Sequence, residues 1–389
     1  MRMLKTAIGL MSGTSMDGID AVLLQTDGRS AINALAHYAM PYSAAFRQEL
    51  LHALQDAQAI TAPDQRPGNL LQAERELTLL HARAIKNLLA QEKLEPQGVD
   101  IIGFHGQTVI HCPPPHADSD SGFTVQLGDG SLLAREANIS VIADMRAADM
   151  RAGGNGAPLA PVYHRALAAS LRGKCAFPLA FINIGGIANV TYIENAGENN
   201  DNLIAFDCGA GNCLIDQWAE AKIGRSYDKN GEAGLKGKIS EGVAQAYFKL
   251  PIFKQERRSY DRNDFPPLSS LSEEDNLSYE GGAATLAYIT AEGIIHSFSR
   301  LPQMPKTLIV SGGGIKNRAI MQNLARLSAA CGISLKTAEN FSFSSAFMEA
   351  EAWAYLAVRS FYHLPLTYPQ TTGCRAPVSG GVLYPAPQR

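Results

Sequence analysis

Residues 9–20 read Gly9-Leu10-Met11-Ser12-Gly13-Thr14-Ser15-Met16-Asp17-Gly18-Ile19-Asp20. The apolar run that enters this stretch, Thr6 to Met11, has the length and composition of a short buried strand. It breaks into a turn of small and hydroxylated residues, Ser12 to Ser15. A second strand follows at Ile19–Gln25 and a third at Ile32–Ala39, joined by an Asp27-Gly28 turn. A hairpin turn rich in Gly, Ser and Thr gathers backbone N–H groups and hydroxyls at one point. Such a nest holds phosphate oxygens without a lysine.

The same order recurs in the second half. Leu179–Ile184 reads as a strand, broken by Gly185-Gly186; Ala188–Ile193 and Leu203–Phe206 follow, and the last runs into Asp207-Cys208-Gly209-Ala210-Gly211-Asn212. Around the first trio, helices are expected over about 44–55 and 70–91, and strands at Asp100–Phe104 and Ile139–Ala143. The loop Gly153-Gly154-Asn155-Gly156 then leads to Pro158 at an expected helix start. Around the second trio, helices are expected over about 214–222, 240–248, 283–299, 317–330 and 345–361. A strand at Leu308–Val310 enters Ser311-Gly312-Gly313-Gly314. Matching strands and matching turn chemistry point to two copies of one α/β unit, and two facing lobes leave a cleft for a ligand.

Composition agrees. The chain has 389 residues, a size suited to two domains at roughly 150 residues each. Charged residues make up 18% against an average of about 25%, and hydrophobic residues 46%, which excludes disorder for the bulk. Net charge is -3 and basic residues are dispersed, so nothing marks a nucleic-acid partner. The six cysteines form no C-x-x-C pair and read as free thiols. The apolar run Ala7–Met11 is too short for a signal-peptide core, and no run is long enough to span a membrane. A cytoplasmic protein is expected.

Two common phosphate loops do not fit. The run Gly231 to Ile239 has one residue too many for a P-loop, and Ile239 stands where a magnesium-binding hydroxyl is needed. Gly209-Ala210-Gly211 opens like a dinucleotide fingerprint, but Leu214 occupies the third glycine position and Asp207 would repel a pyrophosphate. The hairpin nest remains, with Gly186 and the 207–212 loop as partners from the second half. Gly312-Gly313-Gly314 would let a backbone approach a nucleoside closely.

These segments resemble the actin, heat-shock chaperone and sugar kinase ATPase superfamily, and within it the anhydro-N-acetylmuramic acid kinases. The resemblance rests on residues 9–20, on His105-Gly106-Gln107-Thr108, and on Ala143-Asp144-Met145-Arg146 through Asp149. It continues with Gly153 to Leu159, Asn183 to Asn189, Phe206 to Gly209, Gly312 to Gly314, Met348-Glu349 and Thr372-Gly373. It covers nearly the whole chain in order. One stretch departs: where many members carry Ser-Thr-Gly-Arg-Glu, this chain has Ser259-Tyr260-Asp261-Arg262-Asn263-Asp264-Phe265, with Asp261 at the glycine position.

The resemblance implies two ribonuclease H-like lobes related by duplication, with an ATP cleft between them. The lobes would be residues 1–145 with about 366–389, and residues 146–365. It implies a kinase that opens the 1,6-anhydro ring of anhydro-N-acetylmuramic acid and phosphorylates O6, in cell-wall sugar recycling. ATP and Mg2+ would be the cofactors, and a homodimer the assembly. Gly13, Thr14, Ser15, Met16, Asp17, Gly18, Ile19, Asp20, Gly186, Gly209, Gly312, Gly313 and Gly314 would bind ATP, with Asp17 or Asp20 orienting the metal through water. Asp207 would be the catalytic base. Gln107, Thr108, Arg146, Asp149 and Glu349 would bind the sugar, Arg146 being suited to its lactyl carboxylate. Glu351 is the candidate for an exposed neighbour of Glu349. His105 and His111 lack a carboxylate at ligand spacing and read as structural.

Two alternatives stay in view. One is another sugar or carboxylate kinase on the same fold. The other is an ATP-gated binding module like actin or the chaperones, against which stands the absence of a long segment beyond the two lobes.

Overall fold

A computed structural model describes residues 3–13, 16–113, 122–197, 203–254, 259–260, 264–268 and 277–387. The chain divides into two compact units, residues 1–170 with 347–389, and residues 171–346.

The first unit opens with β1 (Lys5–Met11), β2 (Gly18–Thr26) and β3 (Ile32–Pro41), then α1 (Ala44–Asp56) and α2 (Leu70–Glu92). Next come β4 (Ile101–Phe104), β5 (Gln107–Cys112), β6 (Phe123–Leu127), α3 (Gly130–Ala137) and β7 (Val141–Ala143). Two helices, α4 (Met145–Arg151) and α5 (Pro161–Ser170), follow. The second unit runs β8 (Leu179–Ile184), β9 (Ile187–Ile193), β10 (Leu203–Ala210), α6 (Cys213–Ile223), α7 (Glu232–Lys236), α8 (Glu241–Phe248) and α9 (Tyr279–Ser297). It ends with β11 (Thr307–Ser311), α10 (Arg318–Ala330) and β12 (Ser334–Thr337). The chain then rejoins the first unit as α11 (Met348–Phe361), α12 (Pro369–Thr372) and β13 (Val382–Tyr384).

Sheet topology shows the duplication. The first sheet has the order β3-β2-β1-β4-β7-β13, the second β10-β9-β8-β11-β12. In the first, β1–β2 and β2–β3 are antiparallel while β1–β4 and β4–β7 are parallel. The second repeats this: β8–β9 and β9–β10 antiparallel, β8–β11 and β11–β12 parallel. Numbered along the chain within each sheet, and leaving β13 aside, both read 3-2-1-4-5, the ribonuclease H-like order; β5 and β6 pair apart from the main sheet. The extra strand β13 pairs antiparallel with β7 and ties the C-terminal segment to the first sheet.

The lobes are expected to divide at 145/146 and near 365, and the compact units divide at 170/171 and 346/347; α11 falls in the first unit because it packs on the first sheet. Gly9 and Gly103 are paired neighbours on β1 and β4. A Cβ on Gly9 would collide with the Ala350 carbonyl oxygen, and one on Gly103 with that of Trp353. Two glycines in register therefore let the α11 backbone lie directly on the sheet.

Each unit has its own core. Ile8, Leu10, Ile19 and Leu23 meet Ile85 and Leu88 of α2 in the first. In the second, Ile182, Val190 and Val310 of the sheet meet Leu286 and Ile294 of α9. Full burial of one such side chain contributes about 1.5–3 kcal/mol. Helix starts follow side-chain caps: Ser43, Ser240 and Ser278 each accept an N–H from three residues on, and Asn317 accepts from Ala319 and Ile320.

Three local expectations are corrected. Asp207 is not beyond a strand that stops at Phe206; β10 continues to Ala210 through a bulge between Asp207 and Gly209. No helix is expected between the strand at Ile139–Ala143 and the loop at Gly153, yet Arg146, Asp149 and Arg151 lie on the short helix α4. The helix expected from Pro158 starts at Pro161.

Candidate functional site

In the first unit, polar groups collect around α4, the β4–β5 junction and the start of α11. The Arg146 guanidinium donates from Nε to His105 Nε2 at 3.1 Å and from Nη1 to the Gly156 carbonyl at 2.9 Å. Its Cζ stands 5.3 Å from the centre of the Trp353 ring, and the His105 ring lies 4.6 Å from the same ring. Burial lowers the Arg146 pKa to about 10, while Glu349 and Asp149 act the other way. Arg146 stays a cation at neutral pH.

Glu349 sits exposed in the first turn of α11. Asp20, half-buried on β2, has its pKa pushed up to about 6 by burial, then by the charges of Asp17 and Glu349. Glu351, the candidate for the exposed neighbour, is the buried one: 5% exposed, it accepts the Tyr163 hydroxyl at 2.6 Å. The two carboxylates are two positions apart on a helix and so face different ways.

Gln107 is buried, and its Oε1 has no partner among the described residues. An orphaned buried acceptor costs about 1–3 kcal/mol unless something donates to it, which suits a hydroxylated ligand. Thr108 Oγ1 accepts from Gln126 Nε2 at 3.3 Å. Asp149 does not fit its expected role in sugar binding. Its carboxylate is 1% exposed and accepts from Gly156 N, Thr367 Oγ1 and Thr372 Oγ1. It is consumed by protein donors and shapes the loop that carries the Gly156 carbonyl.

The expected phosphate hairpin divides in the same way. Thr14 and Ser15 lie outside the described residues. Gly13 accepts the Met16 N–H at 3.1 Å, closing the turn. Met16 packs with Phe46 and Leu50, and Ile19 is fully buried in the sheet core, so neither offers a polar side chain to ATP. Gly18 is required by packing: a Cβ there would lie 2.5 Å from the Met40 carbonyl oxygen. Asp17 is exposed.

In the second unit, Asp207 is half-buried on β10, and its Oδ2 accepts the Tyr260 N–H at 2.8 Å. Burial pushes its pKa up to about 7, against the opposing pull of Tyr260, Ser259 and the Arg300 charge. Arg300 lies over the Phe206 ring, 3.9 Å from its centre. Asp207 bonds to Tyr260 and does not cap α6, which is preceded by Asn212. Asp261, Arg262 and Asn263 lie outside the described residues, but the same loop supplies the bond that orients Asp207.

The glycine loops of this unit are joined at one end of the sheet. Gly211 and Cys213 donate to the Gly186 carbonyl at 2.8 and 3.1 Å, and Asn212 donates to that of Gly185 at 2.8 Å. Gly312, at φ +85°, and Gly314 pack on Asn183 and Ile184, where a Cβ would collide. Their glycines therefore serve the approach of the loop to β8. Gly313 and Gly209 have nothing within 4 Å of a Cβ position, and at Gly186 the nearest atom is 4.0 Å away. Those are the glycines with space for a ligand.

His105, Tyr260 and Arg300 are the residues the sequence reading did not assign to the site. His105 stands 41 positions from Arg146, and no spacing rule pairs them.

A family model for anhydro-N-acetylmuramic acid kinase matches residues 5–386. A relative of that name from Brucella canis is 50% identical over 380 residues, covering 97% of this chain and 98% of its own. One from Rhizobium etli is 49% identical over 384 residues, covering 98% and 99%. One from Agrobacterium fabrum is 49% identical over 380 residues, covering 97% and 98%. The chain belongs to the anhydro-N-acetylmuramic acid kinase family. It is accordingly a kinase that phosphorylates a sugar. No helix among the described residues is long and apolar enough to cross a membrane. Among them, no group of three or more His, Cys, Asp and Glu side chains is placed to ligate a metal ion directly.

Proposed function

We propose that the chain uses ATP and water to open the 1,6-anhydro bridge of anhydro-N-acetylmuramic acid and to phosphorylate O6. Asp207 takes a proton from the water that attacks C1. The C1–O6 bond breaks, and O6 takes the γ-phosphoryl group as its bond to ADP breaks. The products are N-acetylmuramic acid 6-phosphate, ADP and a proton. Acetal cleavage ordinarily takes two carboxyl groups, an acid for the leaving oxygen and a base for water. Here phosphorus captures the leaving oxygen, so one base is enough.

The observation that carries this reading is the placement of Asp207, at the bulge of β10 beside Gly209 with its Oδ2 held by the Tyr260 N–H at 2.8 Å. An ordinary aspartate is a poor base at neutral pH. With its pKa near 7, Asp207 is ionised for part of the population and basic enough to accept water's proton. Arg146 takes the lactyl carboxylate, Glu349 the ring hydroxyls, and Gln107 Oε1 accepts one sugar hydroxyl.

Mg2+ fits the acidic edge of β2. Burial first, then the charges of Asp17 and Glu349, raise the Asp20 pKa, and a cation nearby would offset the part due to those charges. Asp17 and Asp20 would hold the ion through its water shell, and when bound it offsets the charge on the phosphates. The enzyme would work in the cytoplasm, where ATP is supplied, as a homodimer.

The test is the reaction in 18O-water, followed by mass spectrometry of the sugar phosphate. One 18O at C1 and none in the phosphate is expected. ATP hydrolysis independent of sugar, as in a gated binding module, would overturn the reading. So would 18O in the phosphate.

A further inference from the structure

We propose that His105, in its neutral form, is a positioning residue that aims Arg146 at the sugar. The inference rests on the assignment of Arg146 to sugar binding given above. The Nε–H of an arginine is a permanent donor, so the atom that meets it at 3.1 Å, His105 Nε2, must be a bare acceptor. That places the ring proton of His105 on Nδ1. The histidine is 7% exposed, and burial together with the Arg146 charge holds its pKa well below the usual value, against the Ser12 and Gly106 backbones.

The rest of the geometry makes this contact a clamp. Arg146 is gripped on Nε by His105 and on Nη1 by the Gly156 carbonyl. Nη2 lies outside both bonds. Trp353 backs the pair, 4.6 Å from the His105 ring and 5.3 Å from the Arg146 Cζ, and its own Nε1 donates to Met11 Sδ at 3.2 Å. His105 is anchored in turn: its backbone N–H donates to the Leu10 carbonyl at 3.3 Å, and Ser12 Oγ donates to the Gly106 carbonyl at 2.8 Å. An arginine side chain has much rotamer freedom to lose on binding a ligand. Fixing the guanidinium beforehand removes that cost from sugar binding. A protonated histidine in the same place would present a donor to a donor and push Arg146 away.

The test is a double-mutant cycle with kinetics in anhydro-N-acetylmuramic acid. His105→Phe keeps a ring against Trp353 and removes the acceptor. It should raise the sugar KM about tenfold, the scale of a hydrogen bond to a charged group, with the ATP KM unchanged. His105→Gln offers an amide oxygen in place of Nε2 and should recover most of the loss. In an Arg146→Met background, His105→Phe should add less than about a twofold effect, because its partner is already gone. Equal effects of His105→Phe in both backgrounds, or a Gln variant as poor as Phe, would overturn the proposal. Arg146→Met with an unchanged sugar KM would instead overturn the assignment of Arg146 and the proposal with it. Imidazole 15N shifts of the unaltered enzyme give a check without any variant. The Nδ1–H tautomer is expected from pH 6 to 8, and an Nε2–H tautomer or an imidazolium overturns the clamp.

Discussion

The Asp149 carboxylate accepts the Gly156 N–H at 2.7 Å, and through it a helix of the first unit sets the loop that holds Arg146. The other carboxylate oxygen accepts Thr367 and Thr372 from the returning C-terminal segment. A buried carboxylate is tolerated because all of these bonds are charge-assisted. Asp149→Asn converts one oxygen into an amide nitrogen, which has nothing to donate to where hydroxyls and an N–H already point inward. The expected cost is about 2 kcal/mol or more, read as a lower denaturant midpoint at constant m-value. The sugar KM should rise as well, because the Gly156 carbonyl is one of the two bonds on Arg146. An Asn variant with unaltered midpoint and KM would show that the carboxylate is dispensable.

Asp207 as a base ties activity to its ionisation. With its pKa near 7, kcat/KM for the sugar should fall about tenfold per pH unit below that point and level off above it. Asp207→Asn should lose turnover while ATP still binds, since the amide oxygen can accept the Tyr260 N–H as the carboxylate does. Calorimetric titration with a non-hydrolysable nucleotide measures the second part. A kcat/KM profile flat down to pH 5 would remove Asp207 from the role of base.

Part of this architecture is legible in the sequence alone. The strand trios at residues 6 and 179 were readable because apolar runs and Gly-rich turns repeat in order, and the 3-2-1-4-5 sheets follow from them. Helix starts were readable where a cap marks them: Ser240 and Asn317 stand at the expected N-termini and cap α8 and α10. The β5–β6 hairpin was not seen, because Gln107–Cys112 mixes polar and apolar residues and its partner strand is separated from it by a long connection. The helix α4 was missed because seven residues carry too little periodicity to declare themselves. Side-chain roles were the least legible. Asp149 and Arg146 form one polar run in the chain, yet one turns inward to Thr367 and the other to His105. Only tertiary packing separates them.

The triple glycine gives a sharp contrast between neighbours. A Cβ on Gly314 would strike the Ile184 side chain, whereas one on Gly313 meets nothing within 4 Å. Gly314→Ala should therefore destabilise by about 1–3 kcal/mol through overpacking. Gly313→Ala should leave stability within about 0.5 kcal/mol and raise the KM for ATP if a nucleotide approaches that backbone closely. Denaturant melts and ATP kinetics on both variants separate the two roles. Equal stability losses would mean that the loop responds as one unit.

Asp207 also links stability to pH, with a sign that follows from its environment. Its folded pKa of about 7 lies above the ordinary aspartate value of 3.8. Between those values the folded chain holds a proton that the unfolded chain has released. The unaltered protein therefore loses stability at this site as pH rises from near 4 through 7, and the loss is complete above that. Asn does not titrate, so Asp207→Asn lacks the loss. The stability of the variant relative to the unaltered protein should be lowest near pH 4, climb to about pH 7 and then stay constant. Other carboxylates titrate alike in both proteins and cancel from the difference. Thermal melts of the pair from pH 4 to 8.5 measure it. A gap in midpoint that does not change with pH would mean that Asp207 is as easily ionised in the fold as in the free chain, and the case for it as a neutral-pH base would fall with it.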